Sequence, residues 1–188
     1  MLERVAQRGI LTKILTLGLN AVLGRGGRRG GVRRRTGAPT PAAQHASDGS
    51  FGDSATIEID PRTVSGVRLE YAPQKDSEPD AGEVVWTWVP YVENDGRGKD
   101  RPVLVIARHT TDRVYALKLT SKHKPGRDDR VSIGSGAWDA RGRTSWVDTD
   151  QLYSVHHDGM RREAAALDLD RYTRVAHALQ KRFGWRAG

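Results

Sequence analysis

The run Pro102 to Ala107 (Pro-Val-Leu-Val-Ile-Ala) restricts the folds open to this chain more than any other stretch. A short, nearly continuous apolar run rich in β-branched residues reads as a strand buried on both faces. Such a strand lies inside a sheet, so the chain must supply neighbours for it. Proline has no amide hydrogen and suits the first residue of a strand. The residue before a proline is pushed toward an extended conformation. Arg101 therefore stands at a strand mouth, where the glycine-containing loop Pro90 to Asp100 meets a stiff sheet. That position either holds a cation toward a ligand or carries an ordinary solvated arginine.

The neighbours are present. Glu83 to Val89 is β-branched and aromatic, and Arg113 to Leu119 alternates, with Val114, Ala116 and Lys118 against Tyr115, Leu117 and Leu119. Both patterns predict strands. Arg130 to Ile133, Thr144 to Val147, Leu152 to Val155 and, further upstream, Val64 to Tyr71 are shorter candidates. In Leu167 to Trp185 the apolar residues Tyr172, Val175, Ala176, Leu179 and Phe183 follow helical spacing. Asp168 or Asp170 can cap its start, and Gly184 suits the position just past its end. Five or six short strands before one packing helix predict a mainly β fold with a C-terminal helix, a small barrel or half-barrel. Residues 24–56 offer little to bury and 73–82 read as a linker, so 1–81 are expected to form an N-terminal extension. This extension is a short apolar helix followed by a flexible basic and polar linker, and 82–188 are expected to form the folded domain.

Charge narrows the partners. The net charge is +8, distributed as +7 over residues 1–50, −4 over 51–80 and +5 over 81–188. The expected domain is thus basic without its extension, which favours a polyanionic partner. The absence of cysteine excludes disulfides, thiolate metal sites and a cysteine nucleophile, and fits a reducing cytoplasm. The apolar stretch Ile10 to Leu23 is interrupted by Lys13 and Asn20 and is shorter than a membrane span requires, so no membrane partner is expected. It runs into Arg25-Gly26-Gly27-Arg28-Arg29 rather than a cleavage site of small residues. The Arg25 to Arg35 cluster is either a solvated tail or a nucleic-acid contact.

No histidine forms a spaced pair with a carboxylate on one helical face, and the adjacent His156 and His157 point to opposite faces of a strand, so no metal site is expected. Gly98-Lys99 is followed by Asp100 where a phosphate-binding loop needs Ser or Thr, which excludes that motif. Leu119-Thr120-Ser121 ends the third strand with two hydroxyls. They either cap a turn or stand near Arg101 at the rim of one sheet, where a guanidinium fork and a hydroxyl can share a phosphate. Trp86 and Trp88 share a strand face and read as core or dimer contacts. Trp138 lies in a glycine-rich loop and either stacks an unpaired base or anchors the core, with Arg141 and Arg143 nearby to meet phosphate.

Gly-Glu-Val-Val-Trp at 82–86, an eleven-residue loop, Arg-Pro-Val-Leu-Val-Ile at 101–106, Leu-Thr-Ser at 119–121, Asp-Gln-Leu at 150–152 and a terminal helix follow in order. Together they resemble the MazF/PemK family of toxin endoribonucleases. The resemblance implies an SH3-like β-barrel that dimerises, a cognate antitoxin as protein partner, and cleavage of single-stranded RNA without metal or cofactor. In that chemistry the ribose 2′-hydroxyl attacks the adjacent phosphorus. By position, Arg101 matches the family's active-site arginine, Thr120 its active-site threonine with Ser121 beside it, and Asp150 an acidic position near the RNA. The first loop departs from the common pattern, with Asp95-Gly96 where His-Glu or Ser-Glu often stands. Glu93 and Asp95 are then the candidates for general base. Arg97, Lys99 and Arg101 offset the loop's acids, and Lys99, Arg97, Lys122, Arg143, Trp138 and Asp150 are the expected RNA contacts. Two alternatives remain open: a barrel that binds nucleic acid, RNA or DNA, without cutting it, and a gyrase poison of the same fold acting through Trp185 to Gly188.

Overall fold

A computed structural model of the chain describes residues 49–188 apart from 75, 77, 94, 124 and 127. The expected N-terminal helix and the basic cluster at 25–35 lie outside the described residues.

Among the described residues nine strands and one α-helix follow in chain order: β1 (Ile57–Ile59), β2 (Arg68–Leu69), β3 (Glu83–Pro90), β4 (Gly98–Arg108), β5 (Arg113–Thr120), β6 (Arg130–Gly134), β7 (Ser145–His156), β8 (Met160–Ala166), α1 (Leu169–Phe183) and β9 (Arg186–Ala187). Seven of the strands form one antiparallel sheet in the order β1-β7-β5-β4-β3-β8, with β6 paired to β7 on the same side as β1. The mainly β architecture with a C-terminal helix is as expected. The barrel, however, does not close: among the described residues β8 pairs only with β3, and no ladder joins it to β6 or β1.

The sheet buries both faces, which explains the unbroken apolar run in β4. Leu104 and Ile106 point to one side with Leu117, Leu119, Ile133, Val147 and Leu152, and α1 covers them with Tyr172, Val175, Ala176 and Leu179. Val103 and Val105 point to the other side with Val85, Val89, Val114, Ala116, Tyr153 and Val155. The helix starts where Asp168 accepts the Arg171 amide at 2.9 Å and stops at Gly184, whose φ of 71° is the left-handed conformation that glycine adopts at least cost.

Three local readings change. The Thr144–Val147 and Leu152–Val155 candidates are two ends of one strand, β7. Leu117 pairs with Leu152 and Leu119 with Val147, so β7 sets residues 148–151 opposite the single residue Lys118. This bulge is clamped by Thr149, whose amide and hydroxyl both donate to the Asp129 carbonyl, at 2.8 and 3.0 Å. β8 was not expected, because Met-Arg-Arg-Glu-Ala-Ala-Ala contains good helix formers. Pairing along β3 overrides that propensity, and Arg162 secures it through a half-buried fork on Glu83 at 2.7 Å.

The third change concerns residues 49–81, which the sequence reading gives to a largely unstructured extension. β1 completes the edge of β7, and β2 pairs in parallel with β9. Val67 and Leu69 join the main core, Trp185 Nε1 donates to the Val64 carbonyl at 3.0 Å, and the Tyr71 hydroxyl donates to Leu167 at 2.8 Å. Arg113 straps the segment down by donating to the carbonyls of Asp53 and Ala55 while its Nε reaches Ser154 Oγ at 2.8 Å. These contacts are long-range, so a local composition argument cannot foresee them. Among the described residues no helix is long and apolar enough to cross a membrane.

Candidate active site

The β4–β5 ladder runs from Arg108↔Val114 to Val103↔Lys118. On the β3 side, β4 stays paired all the way to Gly98. Residues 98–102 therefore belong to a strand paired on one side, and Pro102 sits opposite Trp86 with its missing amide hydrogen costing no ladder bond toward β5. A cleft of about 460 Å³ opens alongside, where β4 and β5 cease to pair. Lys99, Asp100, Arg101 and Pro102 line it from β4, Lys118, Leu119 and Thr120 from β5, with Ser121 and Lys122 just beyond. Arg130, Trp138, Asp139, Arg143, Ser145 and Trp86 complete the wall.

Arg101 and Thr120, separated by eighteen residues in sequence, thus face one cavity. Arg101 is half-buried, and among the described residues its guanidinium makes no hydrogen bond or ion pair. Thr120 Oγ1 accepts the Lys122 amide at 3.1 Å, which is the turn-capping role. Its hydroxyl proton remains available to a ligand, so the two readings of this threonine are compatible. Among the described residues six cationic side chains line the cleft against two carboxylates, and both carboxylates already hold arginines: Asp100 meets Arg161 at 2.8 Å and Asp139 meets Arg143 at 2.8 Å. The Arg143 guanidinium holds the Asp139 carboxyl below the usual carboxylate range. The cleft is accordingly positive and suited to an anion.

The remaining expected residues divide. Lys99, Lys122, Ser121 and Arg143 are in the cleft, the first three exposed and Arg143 committed to Asp139. Trp138 reaches its wall, yet the ring is 3% exposed, with Nε1 on Ser145 Oγ at 3.2 Å. It anchors the core and has no free face for a base. Gly136 makes room for it, since a Cβ there would come within 2.2 Å of the ring. Glu93, Asp95 and Arg97 do not line the cleft. The β3–β4 hairpin extends to Pro90↔Gly98, leaving them on an exposed tip where Arg97 and Asp95 pair at 2.6 Å. Asp150 is also elsewhere. The β7 bulge aims it at α1, where it pairs with Arg182 beside Asp60 and Arg62.

Three cleft residues escape the sequence reading. Trp86, taken there for a core or dimer residue, is half-buried in the cleft wall with the Arg161 guanidinium 5.7 Å from its ring centre. Lys118 and Arg130 converge on Asp148 at 3.9 and 3.5 Å, with side chains 17%, 11% and 7% exposed respectively. Burial pushes the Lys118 ammonium below the usual lysine value, Asp148 opposing in part. Among the described residues no group of three His, Cys, Asp or Glu side chains is arranged to hold a metal ion.

The described residues thus form an antiparallel β domain under one helix, with a cationic cleft where two strands part. Residues 80–183 match the family described as PemK-like, MazF-like toxin of type II toxin–antitoxin system, and the chain belongs to that family. Similar solved structures include a MazE–MazF complex (Form-II) from Deinococcus radiodurans, at 24% identity over 56% of this chain and 96% of that one, with a TM-score of 0.44. MazF (Form-I) from the same organism gives 24% identity over 56% and 96%, with a TM-score of 0.43. An endoribonuclease from Mycobacterial species gives 18% over 57% and 92%, with a TM-score of 0.41. No curated protein matches the chain.

Proposed function

We propose that the protein is a toxin endoribonuclease that cleaves single-stranded RNA in the β4–β5 cleft without a metal ion. The observation that carries this reading is the unpaired Arg101 guanidinium sharing one cavity with the Thr120 hydroxyl. In the reaction the 2′-hydroxyl oxygen bonds to the adjacent phosphorus and the bond to the 5′-oxygen breaks, giving a cyclic phosphate and a free 5′-hydroxyl. Negative charge builds on the equatorial oxygens as phosphorus becomes five-coordinate. A fixed guanidinium stabilises that charge more than it stabilises the substrate, which is what catalysis requires. An arginine already engaged by a carboxylate would have to be released first, and among the described residues Arg101 meets no such carboxylate. Thr120 donates to a phosphate oxygen and orients it, while Lys99 and Lys122 hold flanking phosphates. Dependence on the 2′-hydroxyl selects RNA over DNA. As in its family, the protein partner is an antitoxin; the working form is a homodimer in the cytoplasm.

The test is incubation of the purified chain with labelled single-stranded RNA in EDTA. Cleavage with cyclic phosphate ends is the expected outcome, and R101A lowers the rate by about 10²–10³-fold, the usual loss for one donor to a developing oxyanion. Bound but intact RNA would favour the non-cutting module. Inhibited supercoiling with intact RNA would favour the gyrase poison.

A further inference from the structure

We propose that Lys118 is the proton donor to the leaving 5′-oxygen, a role that rests on the cleavage reaction above. Lys118 and Thr120 are two residues apart on β5 and both line the cleft, so proton donor and phosphate-orienting hydroxyl are presented from one strand. The amine is fixed rather than waving in solvent: Nζ donates to Gln151 Oε1 and lies 3.9 Å from Asp148 Oδ2. The β7 bulge supplies both partners, because residues 148–151 are the ones it sets opposite Lys118. The charged groups facing it are Asp148 from β7, Arg130 from β6, Arg101 from β4 and Glu58 from β1, and burial outweighs the two acids in lowering its pKa.

The other described cleft groups suit this step less well. Arginines hold their protons too tightly to release them near neutrality. Asp100 and Asp139 are ion-paired to Arg161 and Arg143 and serve as acceptors. Lys99 and Lys122 are solvent-exposed. A general acid works best when its pKa approaches the working pH, and burial moves Lys118 in that direction. As the bond from phosphorus to the 5′-oxygen breaks, its electron pair stays on that oxygen and a proton from Nζ joins it. Lys118 is left as the neutral amine and regains a proton from solvent, while the 2′-hydroxyl proton leaves to water in the open cleft.

The experiment maps a cut in a mixed-sequence RNA with the wild-type chain, then compares that RNA with one carrying a 5′-sulfur in place of the 5′-oxygen at the same linkage. Sulfur leaves without needing a proton. K118A and K118M should cleave the oxygen substrate about 10²–10⁴-fold more slowly, the usual contribution of a general acid, and recover most of that loss on the sulfur substrate. K118R keeps the charge and the Asp148 contact but not the transferable proton, so it should remain slow on oxygen and fast on sulfur. The wild-type rate should fall as pH rises through the Lys118 pKa, below the lysine value of 10.5, and K118R should lack that limb. Equal losses on both substrates, or a K118A rate equal to wild type, would overturn the proton-donor role while leaving the nuclease intact. A wild-type chain that cuts no RNA would overturn both.

Discussion

In the hollow beside α1, Asp150 meets Arg182 and Asp60 holds Arg62 in a 2.8 Å pair. In the cleft beside β4, Arg101 and the ammonium groups of Lys99 and Lys122 meet no carboxylate among the described residues. Both places are polar, concave and lined with arginine, yet their charge states are opposite in kind. In the first, protein partners already hold the cations, and an incoming anion would have to displace a carboxylate. In the second, Arg143, Lys118 and Arg130 face carboxylates, but Arg101, Lys99 and Lys122 meet none among the described residues, so an anion finds donors in place. Residue type does not distinguish a binding site from a surface ion-pair network; the presence or absence of an internal partner does.

Four substitutions probe that contrast, in order of expected effect. W138A removes the buried anchor of the cleft wall and should destabilise the fold by about 3–5 kcal/mol, visible in a thermal melt, whereas W138F should retain most of the stability. Intact stability in W138A would mean that the ring does not hold the wall. R101A should cost the rate loss given above and leave the melt unchanged, since no protein group depends on that guanidinium. T120A removes one hydrogen bond to a charged phosphate, about 1.5–3 kcal/mol, so turnover should fall by about tenfold to 100-fold with RNA affinity largely kept. Full activity in T120A would remove it from the site. D150N breaks a pair in which both side chains are 36% exposed and should change stability by less than about 1 kcal/mol, with cleavage unaltered. A large loss of cleavage in D150N would erase the distinction between the two hollows.

The strands with clean alternation or unbroken apolar runs, β3, β4 and β5, and the helix with its Asp168 and Gly184 ends, are legible in the sequence because local pattern and final burial agree. β8 is not, because its alanines and charges take their conformation from β3. The cleft is half legible. Arg101 and Thr120 stand beside a proline and at a strand end, both local signals. Lys118 hides in an alternation that only groups it with Val114 and Ala116, and the bulge in β7 turns that position into a wall. The same bulge misleads in the other direction at Asp150, which motif order puts near the ligand and register puts near the helix. Glu93 fails for a third reason, since a hairpin one residue longer on β3 and four residues longer on β4 carries the loop past the cavity.

The strand formed by Ile57–Ile59 has a consequence for solubility. It covers part of the rim of β7, a long strand whose unsatisfied amides and carbonyls would otherwise be open to pairing with another molecule. What it offers instead is three residues with Glu58 in the middle, ended by Asp60 and Pro61, which is a poor template for further growth. The segment matching the toxin family starts at residue 80, so this blunt edge comes from outside it. The chain carries its own protection against edge-to-edge aggregation in the part of its sequence that looks least like a folded domain.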